Sequence, residues 1–386
     1  MRKGWEYKRF DEVFDLQMGK TPDRKNPEYF GGNNVWVSIR DLGDKEIADS
    51  NEHITDLAVS NSNIRKVKRG TVIMSFKLTV GKCGIAATDL YTNEAIMAFN
   101  TKESFDINSS FLYYYLQCYH WVGSNKAVMG TTLNKATISK QYISIPPLST
   151  QLAIVSELDK INELIRLKKE QLKDFDNLAQ SLFYEMFGDP VENEKGWEVK
   201  KLGEIGEVKT GNTPSRSNDN FYNEKFIEWI KTDNIRNEQM NPTTAAEYLS
   251  RDGAECGRIV SKGSILVACI AGSLSSIGKC CITTKNVAFN QQINAITPYG
   301  DFCNSIYLYE LIRNSYKYIQ QNATTGMKHI LSKSIFEKMK FPLPPLSLQR
   351  LFAQRIEQIE REKSEVQKSI QDLETLLASR MQYWFE

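Results

Sequence analysis

Two stretches of the chain space their apolar residues as long helices do. From Ser149 the apolar positions are Ile154, Leu158, Ile161, Ile165, Leu172, Phe175, Ala179, Leu182 and Met186, with a break at Lys168. The second stretch gives Phe352, Ile356, Ile359, Val366, Ile370, Leu373, Leu377, Arg380 and Trp384, with a break at Lys363. A four-three stripe kept for about four heptads is a helix seam. Pro146-Pro147 and Pro344-Pro345 block any earlier helical start, Ser149 is the expected N-cap, and Gly188-Asp189-Pro190 is the expected stop. Each predicted helix has roughly 35 residues and a length of about 50 Å at 1.5 Å per residue. Each seam could pack on its own globular neighbour, or the two could pack on each other as a coiled coil; helices this long favour the coiled coil. Lys168 and Lys363 interrupt the stripes at non-equivalent positions, and polar seam residues of this kind fix register.

Outside these stretches the pattern shortens. β-rich runs bounded by Gly, Asn and Asp occur at 34–39, 71–76, 227–231 and 264–270, and aromatic helical stretches follow at 110–119 and 305–318. The aromatics recur at helical spacing, which predicts core rather than stacking platforms. The expectation is an α/β (α+β) unit with a curved mixed sheet and a few helices, present twice.

The duplication is explicit in the residues. Gly4-Trp5-Glu6-Tyr7-Lys8 returns as Gly196-Trp197-Glu198-Val199-Lys200, and Pro146-Pro147-Leu148-Ser149-Thr150-Gln151 as Pro344-Pro345-Leu346-Ser347-Leu348-Gln349. Gly19-Lys20-Thr21-Pro22 matches Gly211-Asn212-Thr213-Pro214. The run Trp36 to Asp41 matches Trp229 to Asn234, Gly81-Lys82-Cys83 matches Gly278-Lys279-Cys280, and Thr131-Thr132 with Lys135 matches Thr324-Thr325 with Lys328. A repeat of half the chain means two copies of one unit, with insertions in loops. The boundaries it suggests are 1–148 and 191–345 for the two globular domains, with 149–190 and 346–386 for the helices. If the helices pair antiparallel, the repeat generates a pseudo-two-fold.

Composition narrows the function. The chain has 386 residues and a net charge of +2. Residues 1–148 and 191–345 each hold 19 Lys+Arg against 16 Asp+Glu, while 149–190 hold 5 against 8 and 346–386 hold 6 against 7. The globular parts are thus mildly basic, which favours nucleic-acid contact weakly, through local clustering rather than bulk charge. The first residues carry no signal-peptide core, and the apolar run 265–271 is too short to span a bilayer. Seven dispersed cysteines, with Cys83 and Cys280 at equivalent positions, read as small packing residues in a reducing cytoplasm. No Gly-x-Gly-x-x-Gly opens a helix, 272–280 fails as a phosphate loop, and the three histidines, His53, His120 and His329, show no zinc spacing. No cofactor, no metal site and no catalytic constellation is expected. Lone carboxylates such as Asp41 and Asp233 read as polar readers or loop caps.

Two units that each open on Gly-Trp and close on Pro-Pro-Leu-Ser-x-Gln before a long helix resemble the specificity (S) subunit of type I restriction-modification enzymes. Leu178-Ala179-Gln180-Ser181-Leu182-Phe183 with Phe187 answers Leu376-Leu377-Ala378-Ser379-Arg380-Met381 with Phe385, and the Gly-x-Thr-Pro and Thr-Thr-x-x-Lys signatures are similar to those of such subunits. The resemblance implies a non-catalytic prokaryotic subunit that reads a bipartite double-stranded DNA target. Each domain would take one half-site, and the helices would set the gap and dock two methyltransferase (M) subunits. Restriction (R) motor-nuclease subunits would join through the complex. The rival readings are a protein-interaction scaffold and a fragment of a fused methyltransferase-nuclease.

DNA-facing side chains are expected on polar loops. In the first domain the candidates are Lys20, Thr21, Arg24, Lys25, Ser38, Arg40, Lys77, Lys126, Thr131, Thr132, Asn134 and Lys135. In the second they are Asn212, Thr213, Ser215, Arg216, Lys231, Asp233, Asn234, Arg236, Ser273, Thr325, Lys328 and His329. Residues repeated in both halves, such as Thr21 and Thr213, could equally serve their own backbone. Non-repeated neighbours are the better base readers, because two half-sites need different readers. The aromatics Phe183, Tyr184, Phe187, Tyr383 and Phe385 exceed what the seam needs, and either dock partners or close the helix ends.

Overall fold

The computed structural model describes residues 2, 4–122, 125–127, 130–236, 239–324 and 326–386, with 125–127 and 130–132 described by backbone alone. The chain divides into two compact units, 1–168 with 369–386, and 169–368. Each combines one globular domain with a part of both long helices.

In the first unit a mixed sheet orders its strands as Phe14–Met18, Ile96–Thr101, Val72–Ser75, Cys83–Ala86 and Glu46–Ile47. The first four pair antiparallel; Glu46–Ile47 joins in parallel. A smaller sheet orders His53–Ile54, Phe30–Val37 and Tyr91–Thr92. Val72–Ser75 is buried on both faces. One face meets the helix Ser109–Cys118 through Phe111, Leu112, Tyr115 and Leu116, and the other closes on Val37, Leu42 and Leu90. The aromatic stretch is therefore core, as its spacing predicted.

The second unit repeats the design. One sheet orders Gly206–Thr210, Ile293–Pro298, Ile265–Ala268 and Cys280–Ile282; the other orders Tyr248–Leu249, Ile227–Ile230, Val287–Phe289 and Ile259–Val260. Its aromatic stretch splits into helices Ser305–Asn314 and Tyr316–Gln321, where Ser315 adopts a non-helical conformation. Cys83 and Cys280 are both buried as free thiols within these cores.

The long helices span Leu148–Phe187 and Leu346–Phe385, 40 residues each, which is about 60 Å. They start one residue before the expected N-cap, because the Pro147 and Pro345 carbonyls already accept the N–H of Gln151 and Gln349, at 3.1 Å in each case. Ser149 therefore lies inside the first turn. In the second unit the helices run antiparallel: Asp176 of the first meets Lys363 of the second, and further along Phe183 and Phe187 meet Phe352. In the first unit Glu157 meets Arg380 and Trp384.

The seam divides by depth. Ile154, Leu158, Ile161, Ile165, Phe352, Ile356, Ile359, Val366 and Ile370 are buried, whereas Leu172, Phe175, Leu182, Leu373 and Leu377 are only half-buried. Ile154 and Leu158 belong to the first domain's core, and Phe352, Ile356 and Ile359 to the second's, so the seam serves domain and helix together. Near the end of the first helix the deepest positions are Ala179, Phe183 and Phe187 rather than Leu182. Phe183 and Phe187 close the helix end against Tyr307, and Phe385 packs on Phe111 and Tyr115; none of the three is a free docking surface. Tyr184 and Tyr383 remain exposed. Lys363 is 12% exposed and is paired with the half-buried Asp176 and Glu360 at 3.1 and 2.8 Å, so the seam break is an ion cluster at the edge of the seam.

Candidate nucleic-acid interface

Strand direction gathers the polar loops. In the first sheet Phe14 faces Thr101 and Met18 faces Met97, while Val72 faces Phe99 and Ser75 faces Ile96. Everything that follows Met18 or Ser75, or precedes Ile96, therefore lies at one end. Lys20 to Lys25 follow Met18, Lys77 follows Ser75, and Glu94 precedes Ile96. The Leu133 N–H bonds the Phe76 carbonyl, bringing Asn134 and Lys135 to the same end. The Asn93 N–H bonds the Val37 carbonyl and brings the Ser38–Asp41 turn. In the second sheet Thr210 faces Asn294 and Ala268 faces Ile293, which sets the loops after Gly211 and after Ala268 at one end. The Asn290 N–H holds the Lys231–Asn234 turn there through the Ile230 carbonyl, and Ile270–Ala271 pairs with His329–Ile330.

Within these ends the nominated residues divide by what their polar atoms already do. The Gly-x-Thr-Pro loop is scaffold in both domains. A Cβ on Gly19 would lie 2.2 Å from the Thr92 and Asn93 carbonyl oxygens, and one on Gly211 2.1 Å from the Asn290 carbonyl oxygen, so only glycine fits. Thr21 donates to Glu94 and Thr213 to Gln291. The Trp36 and Trp229 indoles donate to the Lys20 and Asn212 carbonyls at 3.1 and 3.3 Å. Arg24 lies 5.0 and 5.1 Å from the Phe30 and Trp36 ring centres and pairs with Glu52 at 2.6 Å. Arg216 lies 4.6 and 4.8 Å from those of Tyr222 and Trp229 and pairs with Glu247 at 2.6 Å. Hydrogen bonds from Lys231, chiefly, and from Arg216 hold the Glu247 carboxyl below its ordinary range. Asp41 accepts from the Ser38 N–H and hydroxyl, Asn234 from the Lys231 N–H, and Asn134 caps the helix Lys135–Ser139. The Asn212 amide bonds Cys256 and Arg258 backbone groups. Ser215 and Ser273 bond the neighbouring Ser217 and Ser275 hydroxyls.

A second set is uncommitted. Among the described residues, Lys20, Lys25, Arg40, Lys135, Asp233, Arg236 and Lys328 are exposed, and their side chains make no hydrogen bond or ion pair. Lys77 lies 5.5 Å from the Phe76 ring centre. His329 is half-buried, and its Nδ1 is buried without a hydrogen-bond partner. Thr325 lies outside the described residues, as do the side chains of Lys126, Thr131 and Thr132, whose backbones form a hairpin, Asn125–Ala127 with Gly130–Thr132.

In the second domain two of the uncommitted groups, Asp233 and Arg236, line a cleft of about 460 Å³, together with Thr232, Gly272, Ser276, Lys279 and Gln292 among others. Of these, only Asp233 and Arg236 were DNA-facing candidates in the sequence; Thr232, Gly272, Ser276, Lys279 and Gln292 were not. Lys279 stands in the repeated Gly-Lys-Cys, which marked it as scaffold, yet its ammonium has no partner among the described residues. The Gln292 side chain accepts from Asn290 and its backbone N–H donates back to Asn290, while its side-chain amide N–H groups have no partner among the described residues. Donors and an acceptor that converge without internal partners can hydrogen-bond base edges or phosphates.

The family model of the type I restriction modification DNA specificity domain matches residues 2–174 and 194–375. The chain belongs to that family. It is 30% identical over 237 residues to the type I restriction enzyme MjaIX specificity subunit of Methanocaldococcus jannaschii, covering 55% of this chain and 54% of that one. It is 31% identical over 166 residues to the HindI specificity subunit of Haemophilus influenzae, covering 42% and 35%. The aligned part thus spans about half or less of the length of these curated relatives. Two solved structures share the fold. One is a chain from work on complex assembly and conformational transition of the type I R-M system, at TM-score 0.66, 18% identity, and 100% and 98% coverage. The other is the S subunit from M. genitalium, at 0.55, 14%, and 98% and 95%. The specificity-domain family accounts for the tandem architecture. Among the described residues no helix is long and apolar enough to cross a membrane.

Proposed function

We propose that this chain is the non-catalytic, DNA-reading subunit of a prokaryotic type I restriction-modification complex. Segments 1–148 and 191–345 each take one half of a split duplex target. Segments 149–190 and 346–386 set the gap and dock two methyltransferase subunits, and restriction subunits join through the complex. The observation that carries the reading is the division of labour at each sheet end. Residues shared by the repeat are mostly tied to the scaffold, while unshared ones such as Arg40, Asp233 and Arg236 present unused polar atoms. Two domains that read different half-sites need a common frame with different readers. Phosphate contact falls to Lys20, Lys25, Lys77, Lys135 and Lys328, the exposed or half-exposed amines flanking those readers.

Mass measurement of the co-purified complex tests the partnership. Two methyltransferase subunits per chain at saturation are expected, and a single one would contradict docking on both halves. The isolated chain is expected to transfer no methyl group and cut no DNA, and turnover by it alone would contradict the non-catalytic assignment.

A further inference from the structure

Position 40 of the first domain and position 233 of the second are the same place in the repeat. Each is the middle residue of a three-residue turn, Ile39–Asp41 and Thr232–Asn234, that follows the tryptophan strand. Each turn is held to the strand beside it by a bond from a neighbouring asparagine N–H, at 3.0 Å in both domains. It is held further by Asn51 bonding Asp41 in the first and by Asn234 bonding Thr243 and Thr244 in the second. Each is locked by the next residue, Asp41 or Asn234, accepting the N–H three residues back at 2.7 and 3.0 Å. In this common frame the two side chains carry opposite charges. Both are exposed, and neither makes a hydrogen bond or ion pair among the described residues; Arg40 acts on Glu52 only through space.

We infer that this position is a base reader in both domains, and that its charge decides which base each half-site carries there. Arg40 donates to guanine O6 and N7, and Asp233 accepts from the cytosine N4 amino group. The inference rests on the reading of the chain as a bipartite DNA binder and goes further by naming the reader and its base. The carboxylate carries most of the argument. The phosphates of a facing duplex repel an unpaired carboxylate, so phosphate contact cannot explain one. A base amino group is the donor that duplex DNA offers such an acceptor. Arg40 alone would fit a phosphate; its equivalence to Asp233 points to a base.

The test uses the assembled complex and maps the methylated sequence in cells carrying Asp233→Asn, Asp233→Arg, Arg40→Gln or the wild-type chain. With Asp233→Asn, discrimination at one position of the second half-site should fall roughly ten- to hundredfold, with the first half-site unchanged. With Asp233→Arg, that position should move from cytosine to guanine or lose modification. With Arg40→Gln, one position of the first half-site should relax. A wild-type motif retained by all three variants would overturn the inference, and so would a uniform loss over all sequences, which marks a phosphate contact. No two-part motif from the wild-type complex would instead overturn the underlying functional reading. Unchanged thermal midpoints, expected for exposed positions, keep a folding defect from mimicking either result.

Discussion

Gln151 and Gln349 show what a repeated residue does. Each is fully buried at the start of a long helix. Gln349 accepts the Asn304 N–H at 2.9 Å and donates to the Phe302 and Pro344 carbonyls at 3.2 and 2.8 Å; Gln151 does the same with Asn108, Asp106 and Pro146. The closing glutamine of Pro-Pro-Leu-Ser-x-Gln thus ties helix to domain. Gln349→Ala strands one buried donor and two acceptors, and leaving such groups unmet costs about 1–3 kcal/mol. An unfolding free energy lowered by that amount in denaturant titration is expected; an unchanged one would show that water replaces the amide. The motif was legible in the sequence but its role was not, because the domain partners Asp106, Asn108, Phe302 and Asn304 lie more than forty residues away. Sequence separation likewise hid Glu52, Glu94 and Glu247, 28, 73 and 31 residues from Arg24, Thr21 and Arg216, whose pairing commits those three to the scaffold. Composition cannot separate a committed arginine from a free one.

At the scale of elements, the long helices were the most legible feature, because periodicity over many turns outweighs any local exception. Their ends were less so: the seam leads into domain cores at Ile154 and Phe352, and the stripe passes to Phe183 and Phe187. Sequence marked Lys363 as a break, and the structure supplies its reason. Asp176 bridges Lys363 of the second helix and Arg313 of the domain at 3.1 and 3.0 Å, and Arg313 pairs with the 2%-exposed Glu310. Burial, chiefly, raises the Glu310 carboxyl above its ordinary 4.5, with Arg313 opposing. The folded state therefore holds that proton to a higher pH than the unfolded chain does. Its contribution to stability falls as pH rises from about 4.5 through the raised folded value. In Glu310→Gln this downward slope should be missing from unfolding free energies measured across that range. Parallel curves for variant and wild type would show that Glu310 does not titrate there.

For the whole molecule, the internal repeat made the tandem plan legible: both domains and both helices could be counted from matched landmarks. What the repeat could not give is which polar atoms are free, since that depends on long-range pairing within each sheet end. The resulting account is of one frame used twice with different readers, joined by helices of fixed length. A helix insertion tests the ruler. Four residues added near Lys168 lengthen a helix by about 6 Å. This should widen the gap of the recognised sequence or abolish recognition, and an unchanged gap would leave the helices no part in setting it.

The most direct measurement is single-molecule mapping of modified bases in DNA from cells carrying this chain with its methyltransferase partner. The account predicts one split motif, two different half-sites at a fixed gap. Half-site centres about one helical turn, roughly 34–36 Å, apart are expected for equivalent domains on one face of the duplex. A single uninterrupted motif, or active methylation with no motif, would contradict it.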